Sequence, residues 1–166
     1  YTLVYTLSLH DALPISAVLG KDTYFTGAHR LAGLALERQC SDGSWRRVLN
    51  SDHCTCYPRH TGNTGFMIGV LLEGLVHFHE LTQDSQALDA IDRGLRWLVS
   101  DQFDQDRGTF RYTSCPRSKE IYQVTPSFAA TLYYLLSQPG RYDAELDRLG
   151  SDMLRVWLDY EGKQAT

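Results

Sequence analysis

The chain lacks a long apolar run. Among its 166 residues no stretch approaches the roughly 20 apolar residues of a membrane-spanning helix, because Glu73 interrupts the best candidate after residues 66–72. Cysteine is scarce as well. Four of them, Cys40, Cys54, Cys56 and Cys115, do not make a disulfide-stapled scaffold in a chain of this length. No large charge excess exists either, since the formal net charge is −4, and no nucleic-acid partner is expected. The sequence contains no phosphate-cradling glycine loop and no nucleophile elbow. What is present, 43% hydrophobic and 11% aromatic residues, is enough to bury a core and reads as a soluble globular domain.

Residues 5–15, YTLSLHDALPI, resemble the codon-by-codon translation of a common sequencing-library adapter, and residues 1–4 fit its constant arm and index. A signal peptide fits less well, because no basic residue precedes the apolar run and His10, Asp11 and Pro14 break it. Residues 1–15 are therefore expected to be an adapter-derived artefact, leaving residues 16–166 as the domain. Without Asp11 that domain carries 19 acidic and 16 basic residues, a net charge of about −3.

From Thr23 the pattern turns helical, with Leu31, Leu34, Ala35 and Arg38 on one stripe. Ser41, Asp42 and Gly43 form a turn, and residues 45–49 suit a short strand or extended arm. After a polar loop, Asn63 or Thr64 is expected to cap a helix that is apolar nearly all round: Phe66, Met67, Ile68, Val70, Leu71, Leu72, Leu75, Val76 and Phe78. Such a helix belongs inside. Gly65, Gly69 and Gly74 each cost such a helix ~1 kcal/mol against alanine, which implies close approach of a neighbour or ligand. The next helix, with Leu88, Ile91, Leu95 and Leu98 on one face and Asp89, Asp92, Arg93 and Arg96 off it, is an outer one. Thr125 and Pro126 then read as cap and first residue of a second inner helix, and Gln138-Pro139-Gly140 ends it. Leu146, Leu149, Met153 and Trp157 mark a final outer helix.

The alternation repeats about every 60 residues: Thr64 recurs near Thr125 and Trp97 near Trp157. The linkers repeat too, as QxxxGxW from Gln39 to Trp45 and QxxxxxGxF from Gln102 to Phe110. Inner and outer helices joined by such arms resemble the α/α toroids. Within them, HTGNTGFMIGVLLEGLVHFHELTQDSQALDAIDRGLRWLVS is similar to a hairpin of the six-hairpin glycosidase-like group of glycoside hydrolases, uronate lyases and sugar epimerases. The QxxxGxW element also resembles the terpenoid cyclase repeat, without the aspartate-rich motif of those enzymes. The resemblance implies an all-α fold, a partial α/α toroid of two hairpins and one outer helix. A ring broken in this way leaves apolar faces exposed at both ends, which favours association.

In such toroids the loops before the inner helices line the funnel. Residues 50–63 supply Asp52, His53, Tyr57, Arg59, His60 and Asn63, and residues 115–125 supply Arg117, Lys119, Glu120 and Tyr122. Abstracting a proton beside a uronate carboxylate needs a base and a group that holds the resulting negative charge, so Tyr57, Arg59, His60 and Asn63 are the catalytic candidates. Asp52, Arg117, Glu120 and Tyr122 are the substrate-binding candidates; Asp52 and Glu120 are also the only pair of loop acids that could serve glycoside hydrolysis. The plainer alternative is a helix-capping surface loop. No metal or cofactor is expected, although His53, Cys54, Cys56 and His60, with Cys40 or Cys115, offer zinc-type donors. His77 and His79 point to different sides of their helix, and Trp45, Trp97 and Trp157 suit packing. The expected function is a carbohydrate-active enzyme, a hydrolase, lyase or epimerase acting on a glycan, possibly uronic-acid-containing. The alternatives are a non-catalytic helical-repeat binding module and a terpenoid cyclase-like toroid.

Overall fold

The computed structural model describes residues 22–50, 59–115, 117–122 and 124–164. The expectation for residues 1–15 lies outside them. Helix α1 (Asp22–Arg38) leads into strand β1 (Arg47–Asn50), which pairs antiparallel with β2 (Arg59–Gly62). Helix α2 (Gly65–Thr82) and helix α3 (Ser85–Trp97) form a hairpin, and α3 continues into a π-helical turn, Leu98–Gln102. Strands β3 (Phe103–Asp104), β4 (Thr109–Arg111) and β5 (Glu120–Ile121) make a small antiparallel sheet in that order. Helices α4 (Val124–Ser137) and α5 (Ala144–Gln164) form the second hairpin. Among the described residues no helix is long and apolar enough to cross a membrane.

The alternation of inner and outer helices is as the periodicity predicts, with two shifts. Helix α1 turns Ala28 and Ala32 inward, flanked by Leu31, Ala35 and Leu36, rather than centring on the leucines. Residues 59–62, expected as loop, are a strand, because they find hydrogen-bonding partners in the arm at residues 47–50. The TxD sequence of the α2–α3 turn is a cap. Thr82 donates to the Phe78 carbonyl at 2.7 Å, Gln83 takes a left-handed φ of 56°, and Asp84 accepts from the backbone N–H groups of Gln86 and Ala87. Asp143 does the same for α5, accepting from Glu145 and Leu146. Neither inner helix uses the expected threonine cap. Thr64 holds the N-cap position with no side-chain bond, and Thr125 lies inside α4.

The repeated linkers have a shared physical job. Gly43 (φ 90°) lies so close to the Arg93 carbonyl of α3 that a side chain would collide, and Gly108 (φ 65°) packs in the same way on Val156 of α5. Each glycine thus lets an arm cross the outer helix that follows. The aromatic residue two places on is then driven inward. Trp45 donates its indole N–H to the Ala35 carbonyl at 2.8 Å and packs on Gly94, while Phe110 is fully buried against Phe103 and Phe128. Together with Leu72, Leu75, Ile91, Leu95, Leu98 and Leu132 these residues make one continuous core.

Candidate functional site

Inner helices α2 and α4 run parallel, since Gly69 meets Val124 and Ser127 near the start of α4 and His79 bonds Tyr134 further along. Both therefore open at one end of the molecule. There the loops in front of them are stitched together. Thr64 and Thr113 form a β-bridge; Gly65 N–H donates to the Tyr112 carbonyl and Ser114 N–H to the Asn63 carbonyl, at 3.1 and 3.0 Å. Asn63 N–H donates to Ser114 Oγ at 3.0 Å. The strap from residue 112 to 119 is itself closed by Tyr112 N–H to the Lys119 carbonyl and Thr113 N–H to Ser118 Oγ.

Six side-chain polar atoms of the described residues are buried with no hydrogen-bond partner: Asn63 Oδ1, Thr64 Oγ1, Gln102 Oε1, Thr125 Oγ1, Asp101 Oδ2 and Arg111 Nε. Each unmade bond of this kind costs about 1–3 kcal/mol, and such groups gather where a structure is built to do something other than fold. Gln102 donates weakly to the Asn63 carbonyl at 3.4 Å, and its Oε1 fills the space a side chain on Gly65 would take. Burial pushes the Asp101 carboxyl up, helped by Asp42 and opposed by Arg111; the Arg111 guanidinium donates to the Asp101 backbone carbonyl. Ser44 holds Asp42 the other way, its hydroxyl and N–H lowering that carboxyl with help from Arg46.

The sequence-predicted residues divide. Asn63 sits in the stitched junction and is only 4% exposed. Arg59 and His60 occupy β2, opposite Asn50 and Leu49. Tyr57 and Asp52 lie outside the described residues, as do His53, Cys54 and Cys56 of the zinc-type set. Glu120 stands opposite Arg111 in the β4–β5 register and is ion-paired with Arg107, so its nearest electrostatic partner is a cation rather than a second acid. Tyr122 stacks face to face on Tyr160, with ring centres 4.0 Å apart and planes 1° from parallel. Arg117 is exposed on the strap. His79 is buried, 2.5 Å from the Tyr134 hydroxyl, while His77 pairs with Glu80 at the surface. Among the described residues no three His, Cys, Asp or Glu side chains gather in a metal-binding group.

Asp101, Gln102, Arg111, Ser114 and Ser118 were not predicted as site residues. Gln102 was visible as the head of the second linker repeat, but nothing local says that its amide turns toward an inner helix when Gln39, its counterpart, bonds Gly43 and Ala90 on the outer side. An open groove of about 450 Å³ lies between α1 and α3, walled by Gly33, Leu36, Glu37, Gln86, Asp89 and Arg93. None of these is a candidate residue, and the groove is on the outer wall.

The fold matches solved structures over nearly its whole length. A GH76 alpha-mannanase of Bacteroides thetaiotaomicron matches with a TM-score of 0.72 at 11% identity, covering 94% of this chain and 43% of that one. The GH76A alpha-1,6-mannanase of a Salegentibacter species matches with a TM-score of 0.66 at 14% identity, covering 94% and 46%. An inactive form of the same enzyme, with two aspartates replaced and alpha-1,6-mannotetrose bound, matches with a TM-score of 0.67. No protein-family model and no curated protein sequence matches this chain. The chain thus has the α/α-toroid fold of these structures, and spans less than half their length.

Proposed function

We propose that this chain is part of a glycoside hydrolase acting on a neutral, mannose-containing α-linked glycan. The observation that carries the reading is the toroid match to alpha-mannanases across 94% of the chain. The inactive relative lost two aspartates at consecutive positions, and no two aspartates are adjacent in this sequence. This segment then supplies the substrate-holding wall. In a hydrolase the acid and base roles go to carboxylates, so Tyr57, Arg59 and His60 take the substrate-holding role, with Asn63 fixing the junction that follows them in the chain.

The test is product analysis with the full-length protein on α-1,6-linked manno-oligosaccharides and on uronate-containing oligosaccharides. New reducing ends from the first and none from the second are expected. An unsaturated uronate product overturns the hydrolase reading, and binding without turnover assigns the non-catalytic module. His60→Ala is expected to raise KM several-fold with little change in kcat, the mark of lost ground-state binding; a collapse of kcat at unchanged KM moves His60 into the chemistry.

A further inference from the structure

Outer helix α3 widens at its end into the π-helical turn Leu98–Gln102, a form that is rare and gathers at functional sites. The last two residues of that turn, Asp101 and Gln102, each bury a side-chain oxygen, Oδ2 and Oε1, that has no hydrogen-bond partner. In the first linker the corresponding amide is fully used. Gln39 donates to the Gly43 and Ala90 carbonyls and accepts from Arg93. The π-helical turn gives up bonds that its repeat makes.

Arg111 of β4 reaches the turn. Its Nη2 donates to the Asp101 backbone carbonyl, while its Nε is buried with no partner. Nε–H and Nη2–H form one edge of the planar guanidinium, and that edge fits the two oxygens of a carboxylate. Here one prong holds a carbonyl and the other is idle, with the carboxyl of the same residue near enough for the charge of Arg111 to favour its ionised form. The other charged groups that act on this carboxyl are Asp42 and Arg46 of the first arm. Burial outweighs the two cations and, with Asp42, holds the carboxyl above its ordinary range. A neutral carboxyl leaves the guanidinium on the carbonyl, whereas an ionised one offers it a two-pronged, charge-assisted pair. We infer that Asp101 and Arg111 form a two-position latch, with the guanidinium on the Asp101 carbonyl in one position and on the Asp101 carboxylate in the other. The latch reaches the start of α2 by two routes. The Arg111 carbonyl lies beside Gly65, and Gln102, next to Asp101, donates to the Asn63 carbonyl at 3.4 Å. Movement at the turn therefore alters the junction in front of an inner helix, and the inference stands apart from the glycan reading above.

An NMR pH titration of the full chain tests it, following the Asp101 carboxyl carbon together with the backbone amides of Asn63, Gly65 and Gln102. The three amides are expected to shift in one transition that shares the Asp101 midpoint, and that midpoint should lie above the ordinary aspartate range. This arm needs no variant to fold. Asp101→Asn removes the titrating group and should leave the three amides flat over the same range. Arg111→Lys keeps the positive charge but loses the two-pronged edge. Its Asp101 carboxyl should still titrate while most of the amide response disappears. Amides that stay flat in the parent as Asp101 titrates overturn the latch. Amide shifts of equal size in the parent and in Arg111→Lys overturn it too, because they would report the field of a new charge and no change of partner.

Discussion

At Gly94 a single methyl group would sit 2.8 Å from both Leu72 Cδ2 and Trp45 Cζ3. Those atoms belong to packed core side chains with little room to yield, so Gly94→Ala is expected to destabilise the fold by about 1–3 kcal/mol in denaturant titration. Gly27, in the exposed part of α1, has nothing within 4 Å of the added carbon. There the same change should stabilise by about 0.5–1 kcal/mol through helix propensity, and equal effects at the two sites would refute this account of the packing. The sequence marks Gly65, Gly69 and Gly74 as places of close approach. Gly65 is one, with Gln102 in the way, whereas Gly69 has only ordinary contacts with α4. Gly43, legible as a turn former, and Gly94 do not stand out as close approaches in the sequence, because the atoms that crowd them come from residues 22 to 50 positions away in the chain.

The helices illustrate which signals are local. Asp84 and Asp143 cap α3 and α5 one repeat apart, each by accepting two backbone N–H bonds. Replacing either by alanine should cost about 1 kcal/mol, and by asparagine much less, read from urea midpoints. The Leu146 N–H holds the Asp143 carboxyl below its ordinary range, with help from Arg96. A lowered folded-state pKa means that this stabilisation is fully present above the unfolded value and is lost as pH falls through the folded one. The stability difference between the parent and Asp143→Asn should therefore shrink on acidification below the ordinary aspartate range, and a constant difference would rule out a charged cap. The aspartate caps are local, since each carboxylate bonds backbone N–H groups two and three residues on. The threonines at the starts of α2 and α4 misled for the opposite reason. The N-terminus of α2 is satisfied by a strap from residues 112–114, a partner that no window around Thr64 contains.

Among the described residues, the exposed large apolar side chains are Phe25 on α1, Phe66 and Leu81 on α2, Tyr133 on α4, Leu158 on α5 and Tyr142 in the turn between those two. Central helix α3 has none among the described residues. Unpartnered faces of this kind drive association, so the 166-residue chain by itself should sediment as a concentration-dependent mixture. The double change Phe25→Glu with Leu158→Glu should shift it toward monomer, and an unchanged profile would show that these faces do not drive assembly.

The sequence by itself determined the alternation of inner and outer helices, the repeat near 60 residues and hence the toroid, because these follow from periodic burial, which each segment carries within itself. It also marked the loop before α2 as the place to look. Only the tertiary structure decided which atoms meet there. The buried oxygens of Asn63, Thr64, Gln102 and Thr125 come from three separate points of the chain, and Phe66 is left exposed while its neighbours Gly65, Met67 and Ile68 are buried. Apolar character says that a helix is packed, but which of its faces is left open depends on where its neighbours stand.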